Sequence, residues 1–395
     1  MDAFSFFCQT KLQFGAGILS ELGTQLKALS YSSYLVISGS SKTRASAGFA
    51  ELIRTLEAMG LAYSVFDSVR PDPDAEMVRA AAAQITRHRH NAVIAYGGGS
   101  PIDCAKSAAL MASNSVDILE FVLTRQTPQK PALPIIAIPT TAGTGSEMSA
   151  AAVTTDTKTR RKIGLSLPSY FPVLSLVDPE LHISLPPDVT AATGMDALTH
   201  VLESYFSLGS NPVSDSINQT AIRLICANLV TAFSEPDNIE SRSAMAYASS
   251  TAGMAFSNTG LGMVHGFAHP LGAQHCIAHG TANAVMLPYV LAAMKNEISG
   301  KIQNLSHYSV NVRSAEIQLD CVNNLIESIL ELRGVLGIPS SLQELGLAKT
   351  DLAPIHEDAC TYRMRPRSPR KFSDAELFSI LEAAWAGDIK KAASI

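Results

Sequence analysis

The chain has 395 residues, which is more than one hydrophobic core usually holds and enough for two. Only 16 % of the residues are charged and 47 % are hydrophobic, so much of the chain must be buried, and we expect part of that burial in a homodimer or higher homo-oligomer. A net charge of −5 without a long basic run argues against nucleic acid or an anionic membrane as partner.

Six widely spaced cysteines, none in a CxxC pair, predict free thiols in a reducing compartment. The N-terminus has no cationic start or sustained apolar stretch typical of a signal peptide. No apolar run approaches the ~18 residues of a membrane helix. These features predict a soluble, cytoplasmic protein.

In the N-terminal half, short β-rich runs alternate with helical patterns, which predicts a mostly parallel sheet covered by helices. The predicted strands are Tyr34–Ser38, Tyr63–Asp67, Ala92–Tyr96 and Pro134–Pro139. The predicted helices are Ala45–Met59, Asp74–His90 and Pro101–Met111.

From Pro187 onwards the β-rich runs fade and periodic, alanine- and leucine-rich stretches predict an all-helical half. The predicted helices are Asp188–Phe206, Val213–Phe233, Ser241–Asn258, Asn283–Ile298, Ala315–Leu336 and Asp374–Ala386. The fold class is therefore an α/β, Rossmann-like N-terminal domain, residues 1–184, followed by an all-α C-terminal domain, residues 185–395.

Two loops that follow predicted strands are candidates for holding a phosphate. In the first, Gly97, Gly98, Gly99 and Ser100 lead into a helix whose first turn contains Asp103. Glycines admit a pyrophosphate close to the backbone, and the helix N-terminus offers free N–H groups. The second loop supplies hydroxyl groups from Thr140, Thr141, Thr144 and Ser146. Neither loop is a GxGxxG or Walker A motif, and the alternative is that both are ordinary strand-to-helix turns.

A carboxylate and several histidines mark the helical half. Asp196 and His200 lie four residues apart, which on a helix puts both on one face, and Glu203 follows within a turn. Four more histidines fall within fifteen residues of otherwise apolar sequence: His265, His269, His275 and His279. Such a set suits Fe(II) or Zn(II), but a single histidine is more often a packed or surface residue, and spacing does not say which of them bind.

These motifs together resemble the iron-containing alcohol dehydrogenases over nearly the whole chain. The residues that fit the family's first signature are Ser175–Asp178, Pro186, Ala191, Thr193, Asp196–Leu198 and Glu203. His265–His269 fits the second signature, and Gly97–Asp103 and Pro139–Glu147 fit the cofactor loops.

The resemblance implies a dehydroquinate-synthase-like fold and a reversible, NAD(P)H-linked reduction of a short-chain aldehyde to a primary alcohol. It implies a Lewis-acidic metal, Fe(II) with Zn(II) as the alternative, held by Asp196, His200, His265 and His279. It leaves His269 beside the metal, as a candidate for proton transfer or substrate contact. It also implies a dimer formed through the strand near residues 6–14.

Two positions depart from the family pattern. Gly39 replaces an aspartate that engages the adenosine ribose in many relatives, which removes a repulsion toward a 2′-phosphate. Ser40, Ser41 or Lys42 could then hold that phosphate, so NADP(H) stays a candidate. NAD(H) is favoured, because losing a repulsion does not by itself create a preference, and Gly39 could simply serve the turn.

The second departure is an arginine-rich loop, Arg363–Arg370, with four arginines in eight residues. Arginine suits carboxylate, phosphonate or sulfonate groups. We expect Arg365 and Arg367 to select an anionic aldehyde such as sulfoacetaldehyde, phosphonoacetaldehyde or succinic semialdehyde. If the loop is instead a solvated surface or a subunit contact, the substrates are neutral short-chain aldehydes and alcohols.

Three rival functions compete with this one: a lyase like dehydroquinate synthase, a metal-free relative such as maleylacetate reductase, and a metal-binding scaffold without activity. The alcohol dehydrogenase signatures argue against the lyase. The full set of metal ligands argues against the metal-free relative, and the two cofactor loops argue against the scaffold. A test of NADH oxidation with a panel of aldehydes separates all three from a dehydrogenase.

Overall fold

The computed structural model describes residues 3–39, 41–114, 116–124, 126–312, 315–319 and 321–395. The chain divides into two compact units. One spans Phe7–Ser184, and the other spans Leu185–Ile395 together with the described residues up to Phe6. All six cysteines are free, as predicted.

The first unit is built around a six-stranded parallel sheet and a separate antiparallel hairpin. Its strands are β1 (Lys11–Phe14), β2 (Ser33–Ser38), β3 (Ala62–Phe66), β4 (Ala92–Gly97), β5 (Ile135–Pro139), β6 (Ala151–Asp156), β7 (Arg161–Ser166) and β8 (Leu174–Val177). The sheet order is β1-β8-β5-β4-β2-β3, and β6 pairs with β7. The helices are α1 (Leu22–Leu29), α2 (Ser41–Arg44), α3 (Ala47–Ala58), α4 (Ala75–His88), α5 (Gly99–Asn114) and α6 (Ile118–Thr124).

Alternate residues of the central strands enter two separate cores, because successive side chains of a strand point to opposite faces. On β2, Leu35 and Ile37 join a core with residues of α4, α5 and α6, whereas Tyr34 and Val36 join a core with residues of α1 and α3. The sheet is therefore covered on both faces, which explains why its strands appear in the sequence as continuous apolar runs.

The strand order places the carboxyl ends of β2 and β4 side by side at a point where the connections diverge. The chain runs from β2 to β3 on one side and then returns to β4 on the other side of β2. Ligands of open α/β sheets bind at such a point. Gly39 and the Gly97–Gly99 loop follow these two strands, so the candidate phosphate loop lies where the fold favours a ligand.

The second unit is helical apart from one short hairpin. Its helices are α7 (Pro187–Phe206), α8 (Pro212–Ser234), α9 (Ile239–Thr259), α10 (Met263–His275), α11 (His279–Ala293), α12 (Lys295–Ile302), α13 (Val322–Val335), α14 (Leu352–Cys360), α15 (Asp374–Ala386) and α16 (Ile389–Ala393). Within the described ranges, no helix combines the length and apolarity needed to cross a bilayer.

Two predicted helices need correction. The predicted helix Ala315–Leu336 contains strand β10 (Ala315–Gln318), which pairs with β9 (Ser309–Val312), and only α13 is helical. Apolar and polar residues alternate in this part of the sequence, and that period of two favours strands. The predicted helix Asn283–Ile298 begins earlier, at His279, and is interrupted at Met294, whose backbone leaves the helical region at φ −116° and ψ 22°.

Candidate functional site

Three helices of the second unit bring the predicted metal ligands together. Asp196 and His200 lie one turn apart on α7, His265 lies in the first turn of α10, and His279 is the first residue of α11. One ligand atom from each of the four residues lies within 4.8 Å of all the others. Asp196, His200 and His265 are buried, and His279 is partly buried.

The spacing of these atoms suits a divalent metal ion. His200 Nε2 lies 3.0 Å from His265 Nε2, and His279 Nε2 lies 3.7 Å from Asp196 Oδ1. Atoms bound at about 2.0–2.1 Å to a tetrahedral ion lie roughly 3.3 Å from one another. A buried carboxylate facing three imidazoles also needs a positive charge to offset its desolvation. The four residues therefore fit Fe(II) or Zn(II) by chemistry and by geometry.

Glu203 contacts the candidate metal ligand His265, a contact that the sequence did not reveal. Its carboxylate accepts a hydrogen bond from His265 Nδ1 at 2.6 Å and another from the backbone N–H of Val264 at 2.7 Å. A proton held on Nδ1 leaves the Nε2 lone pair of His265 directed at the other ligands. Burial raises the pKa of Glu203 to about 7, and burial holds the pKa of His265 well below its usual value, which favours the neutral imidazole. The sequence signal for this residue was its position one turn after His200.

His269 lies beside the four residues without belonging to the group. Its ring centroid is 6.3 Å from that of His265 and 5.8 Å from that of His279. The ring of Tyr362 packs edge-on against it at 5.4 Å, and burial raises the pKa of the Tyr362 hydroxyl. His269 is therefore placed to exchange a proton with a molecule bound at this cluster.

The residue just before the arginine-rich loop packs against α10, the helix that carries His265. A Cβ at Gly266, in the first turns of α10, would lie 3.0 Å from Tyr362, the residue just before the loop. Arg365 is engaged internally, because it donates to the carbonyls of Cys360 and Phe372 and forms an ion pair with Asp374 at 2.7 Å.

Arg367 differs from its neighbours in the loop. It is exposed, and its guanidinium has no hydrogen bond or ion pair within the described part of the chain. Arg370, by contrast, donates to the carbonyl of Ala293 and pairs with Glu376. Of the two predicted anion-binding arginines, Arg367 is thus the one without an ion pair among the described residues. Its side chain lies along Gly209 and Gly260, where an added Cβ would be 2.8 Å from its Nη1 and 3.1 Å from its Cγ.

In the first unit, the two candidate cofactor loops touch each other at their glycines. A Cβ at Gly98 would lie 3.1 Å from Thr141, and one at Gly99 would lie 2.6 Å from Thr144. Gly97 has φ +146°, where side chains are rarely found. The loops are held together further by the Thr140 N–H, which donates to the Gly97 carbonyl at 3.0 Å. Glycine is required here because the two loops approach so closely.

Polar side chains of the first loop and of the helix it leads into accept hydrogen bonds from other parts of the first unit. Asp103 accepts hydrogen bonds from the Ser146 hydroxyl at 2.6 Å and from the backbone N–H of Val153 at 2.9 Å. Ser100 accepts from the backbone N–H of Asp72 at 3.2 Å. These hydrogen bonds therefore fix the shape of the loops.

Lys106 is a buried residue beside the second candidate cofactor loop that the sequence did not single out. It is fully buried on α5, and its ammonium group donates to the carbonyls of Ser146, Ser149 and Ala151 and to both serine hydroxyls, at 2.6–3.2 Å. Burial lowers its pKa from 10.5 to about 8. Lys106 thus anchors the end of the second cofactor loop.

Gly39 follows β2 and makes only ordinary contacts. A Cβ there would lie 3.5 Å from Thr43 and 3.7 Å from Pro101, and its φ is not in the left-handed region. The position therefore does not require glycine for the turn. Ser40, one of the residues considered for a 2′-phosphate, lies outside the described residues, as does the side chain of Ser41.

Comparison with known proteins identifies the family. Residues 9–179 match the iron-containing alcohol dehydrogenase family, and residues 190–385 match its C-terminal domain. The chain is 35 % identical to 1,3-propanediol dehydrogenase of Klebsiella pneumoniae over 375 residues, covering 94 % of this chain and 96 % of that protein. The chain belongs to the iron-containing alcohol dehydrogenase family.

Solved structures support the same conclusion. A 1,3-propanediol oxidoreductase superposes with a TM-score of 0.89 at 34 % identity, covering 97 % of this chain and 100 % of that one. A sulfoacetaldehyde reductase from Bifidobacterium kashiwanohense, solved in complex with NAD+, superposes with a TM-score of 0.86 at 30 % identity, covering 97 % and 99 %.

These findings confirm the predicted family, the fold class and the enzyme class: the protein is an oxidoreductase that acts on alcohols and aldehydes. The predicted cofactors agree with them too. The family contains iron, the four-residue cluster fits a metal, and the sulfoacetaldehyde reductase binds NAD+.

Proposed function

We propose that this protein catalyses the reversible, NAD(H)-linked reduction of a short-chain aldehyde to a primary alcohol at a metal held by Asp196, His200, His265 and His279. The observation that carries the proposal is the convergence of these four donor atoms within 4.8 Å, in a chain of this family. The metal is Fe(II), with Zn(II) as the alternative, since both accept imidazole and carboxylate ligands.

A metal in this site supplies a Lewis acid for the substrate oxygen. Glu203 keeps the His265 proton on Nδ1, so that Nε2 is free to bind the ion. His269, 5.8 Å from the ring of His279, donates a proton to the alkoxide oxygen during reduction and accepts it back during oxidation. Tyr362 packs against His269 and fixes the orientation of its ring.

We assign the dinucleotide to the first unit and the metal to the second. NAD(H), when bound, supplies or accepts the hydride. Its pyrophosphate is expected against the N-terminus of α5, where Gly98 and Gly99 leave no Cβ in the way and Thr141 and Thr144 border the loop. Gly39 provides no carboxylate against a 2′-phosphate, so the ratio of activity with NADH to activity with NADPH tests the assignment of NAD(H).

The substrate is proposed to carry an anionic group, as in sulfoacetaldehyde, phosphonoacetaldehyde or succinic semialdehyde. The support is the exposed guanidinium of Arg367, five residues after Tyr362, whose ring packs against His269, and the similarity to a sulfoacetaldehyde reductase. Arg365 is expected to contribute less to substrate binding, because it already donates to two backbone carbonyls and pairs with Asp374. That engagement, with the similarity to 1,3-propanediol dehydrogenase, favours neutral short-chain substrates as the second candidate.

The deciding experiment compares kcat/KM for NADH oxidation by anaerobic, Fe(II)-loaded protein with the three anionic aldehydes and with propanal. A preference of about a hundredfold for one anion, or roughly 2.7 kcal/mol, supports the anionic substrate. Arg367→Ala should remove most of that preference by raising KM, whereas Arg223→Ala, an exposed arginine on α8, should not. Equal or faster turnover of propanal would establish the neutral substrates instead. Absence of net NADH turnover with every aldehyde would favour the rival functions.

We also propose a homodimer formed through β1. This strand lies at the edge of the sheet, where β8 is its one partner among the described strands, and Phe7, just before it, is 52 % exposed. An unpaired strand edge beside an exposed aromatic side chain favours pairing with a second copy. Sedimentation of wild-type protein and of Phe7→Glu tests this: the variant should lose the dimer.

A further inference from the structure

Asn283 lies next to three of the four candidate metal ligands. It is fully buried on α11, one turn after His279. Its side-chain nitrogen Nδ2 lies 2.7 Å from Asp196 Oδ1, 3.2 Å from His265 Nε2 and 3.3 Å from His279 Nε2. A single amide nitrogen is thus in contact with ligand atoms from three helices.

Only one of these contacts persists as a hydrogen bond when a metal is bound. The His265 and His279 lone pairs must then point at the ion, and a lone pair that binds a metal cannot also accept a proton. Asp196 Oδ1 has a further lone pair, and it forms the shortest of the three contacts. The amide N–H therefore has Asp196 as its acceptor, and the two imidazoles are packed against the same group.

An asparagine suits this position because its amide is neutral. It can hold the carboxylate in place without cancelling the negative charge that attracts the ion, which a lysine would do. It also supplies a hydrogen-bond donor to a buried carboxylate oxygen. Outer hydrogen bonds of this kind orient metal ligands and typically change metal affinity by about 10- to 100-fold.

We propose that Asn283 is a positioning residue of the metal site, which fixes the carboxylate of Asp196 and the spacing of the His265 and His279 rings before the ion binds. This inference rests on the proposed metal site. It assigns to Asn283 no contact with the ion and none with the substrate.

Asn218 offers a matched control. It is also fully buried, its Nδ2 also donates one short hydrogen bond, to Ser204 Oγ at 2.8 Å, and its Oδ1 also has no hydrogen-bond partner within the described residues. Asn283 Oδ1 shares this last property. A substitution at either position removes a buried amide of the same kind, but only Asn283 touches the metal ligands.

The test is Zn²⁺ affinity of the full-length protein, measured by competition with a chromophoric chelator, together with the Tm of each metal-free protein. Asn283→Leu keeps the branched shape and the number of side-chain heavy atoms, whereas Asn283→Ala leaves a cavity, so the pair separates the lost donor from a cavity. Both should weaken Zn²⁺ binding at least tenfold, while Asn218→Leu should stay within about twofold of wild type even if its Tm falls.

Three other outcomes have distinct meanings. Tight Zn²⁺ binding by wild type with unchanged affinity in Asn283→Leu would overturn the role of Asn283 and leave the metal site standing. Failure of wild type to bind Zn²⁺ or Fe²⁺ would overturn the metal site itself, and the inference with it. A loss of affinity in Asn218→Leu equal to that in Asn283→Leu would reduce the effect to general packing and also overturn the proposal.

Discussion

Replacing Glu203 with glutamine should weaken metal binding by reversing the tautomer of His265. In the structure one carboxylate oxygen accepts from the Val264 N–H at 2.7 Å and the other accepts from His265 Nδ1 at 2.6 Å. Glutamine has the same size but only one accepting oxygen. If that oxygen stays with the backbone, the side-chain NH2 faces Nδ1, which must then accept a hydrogen bond. The ring proton moves to Nε2, where it blocks the atom that faces the other ligands.

The loss of metal affinity in Glu203→Gln can be estimated from the interactions that the variant loses. The variant loses one charge-assisted hydrogen bond to a metal ligand and must expel a proton from Nε2 on binding. A loss of about 10- to 100-fold in affinity corresponds to roughly 1.4–2.7 kcal/mol. Competition with a chelator for Zn²⁺ and Fe²⁺ measures it directly.

Asp178→Asn is the control, because Asp178 is also a buried carboxylate with hydrogen bonds to both oxygens. It accepts from the backbone N–H groups of Gly17, Leu19 and Glu180, each at 3.0 Å, and it touches no metal ligand in the described ranges. The substitution should cost stability and leave metal affinity unchanged. The reasoning about Glu203 is refuted if Glu203→Gln binds both metals within twofold of wild type.

Three further predictions concern the cofactor loops and the metal. Gly99→Ala should raise the Kd for NADH at least tenfold, measured by fluorescence titration, because its Cβ would lie 2.6 Å from Thr144; Gly300→Ala, where a Cβ meets nothing within 4 Å, should not. Lys106 is disfavoured as an ammonium ion in the folded chain, so wild type should gain up to about 3 kcal/mol of stability as pH rises from 8 towards 10.5. The urea concentration at the unfolding midpoint of Lys106→Met should not rise over this pH range. An equal rise in both proteins would contradict the lowered pKa of Lys106. Removing the metal with a chelator should abolish aldehyde reduction and leave the Kd for NADH unchanged; a raised Kd would show that the metal also supports the dinucleotide site.

The sequence predicts the α/β half well because its signals are local. Buried parallel strands are short apolar runs, and the predicted strands Tyr34–Ser38 and Ala92–Tyr96 differ from β2 and β4 by one residue each. The helix Asp374–Ala386 is predicted without error, since a serine N-cap and a glycine after its last residue mark both ends. The hairpin of β9 and β10 was missed because its two short runs precede a strong helical pattern.

The candidate site could be predicted only in part, because its contacts join residues far apart in the chain. Helical spacing places Asp196 beside His200, but it cannot rank His265, His269, His275 and His279, which lie on two helices. The structure brings the first and last of these to within reach of Asp196 and places His269 beside them. Asn283 is one turn from His279, yet nothing in the sequence connects it with Asp196, 87 residues away.

The arginine-rich loop shows the same limit of sequence-based prediction, here for charged side chains. Four arginines in a chain of negative net charge indicate an anion site, yet a sequence does not show which of them the fold already uses. Arg365 is engaged by the carbonyls of Cys360 and Phe372 and by Asp374. Only the three-dimensional contacts separate such a structural arginine from Arg367.

The most direct test of the account is anaerobic NADH oxidation with propanal and sulfoacetaldehyde, by wild-type protein reconstituted with Fe(II) and by Asp196→Ala treated in the same way. The account predicts turnover of at least one aldehyde by wild type, with one metal ion per chain. It predicts a loss of metal and at least a thousandfold fall in kcat/KM for the variant, or roughly 4 kcal/mol of transition-state stabilisation. Turnover by Asp196→Ala at the wild-type rate, or by metal-free wild type, would contradict it.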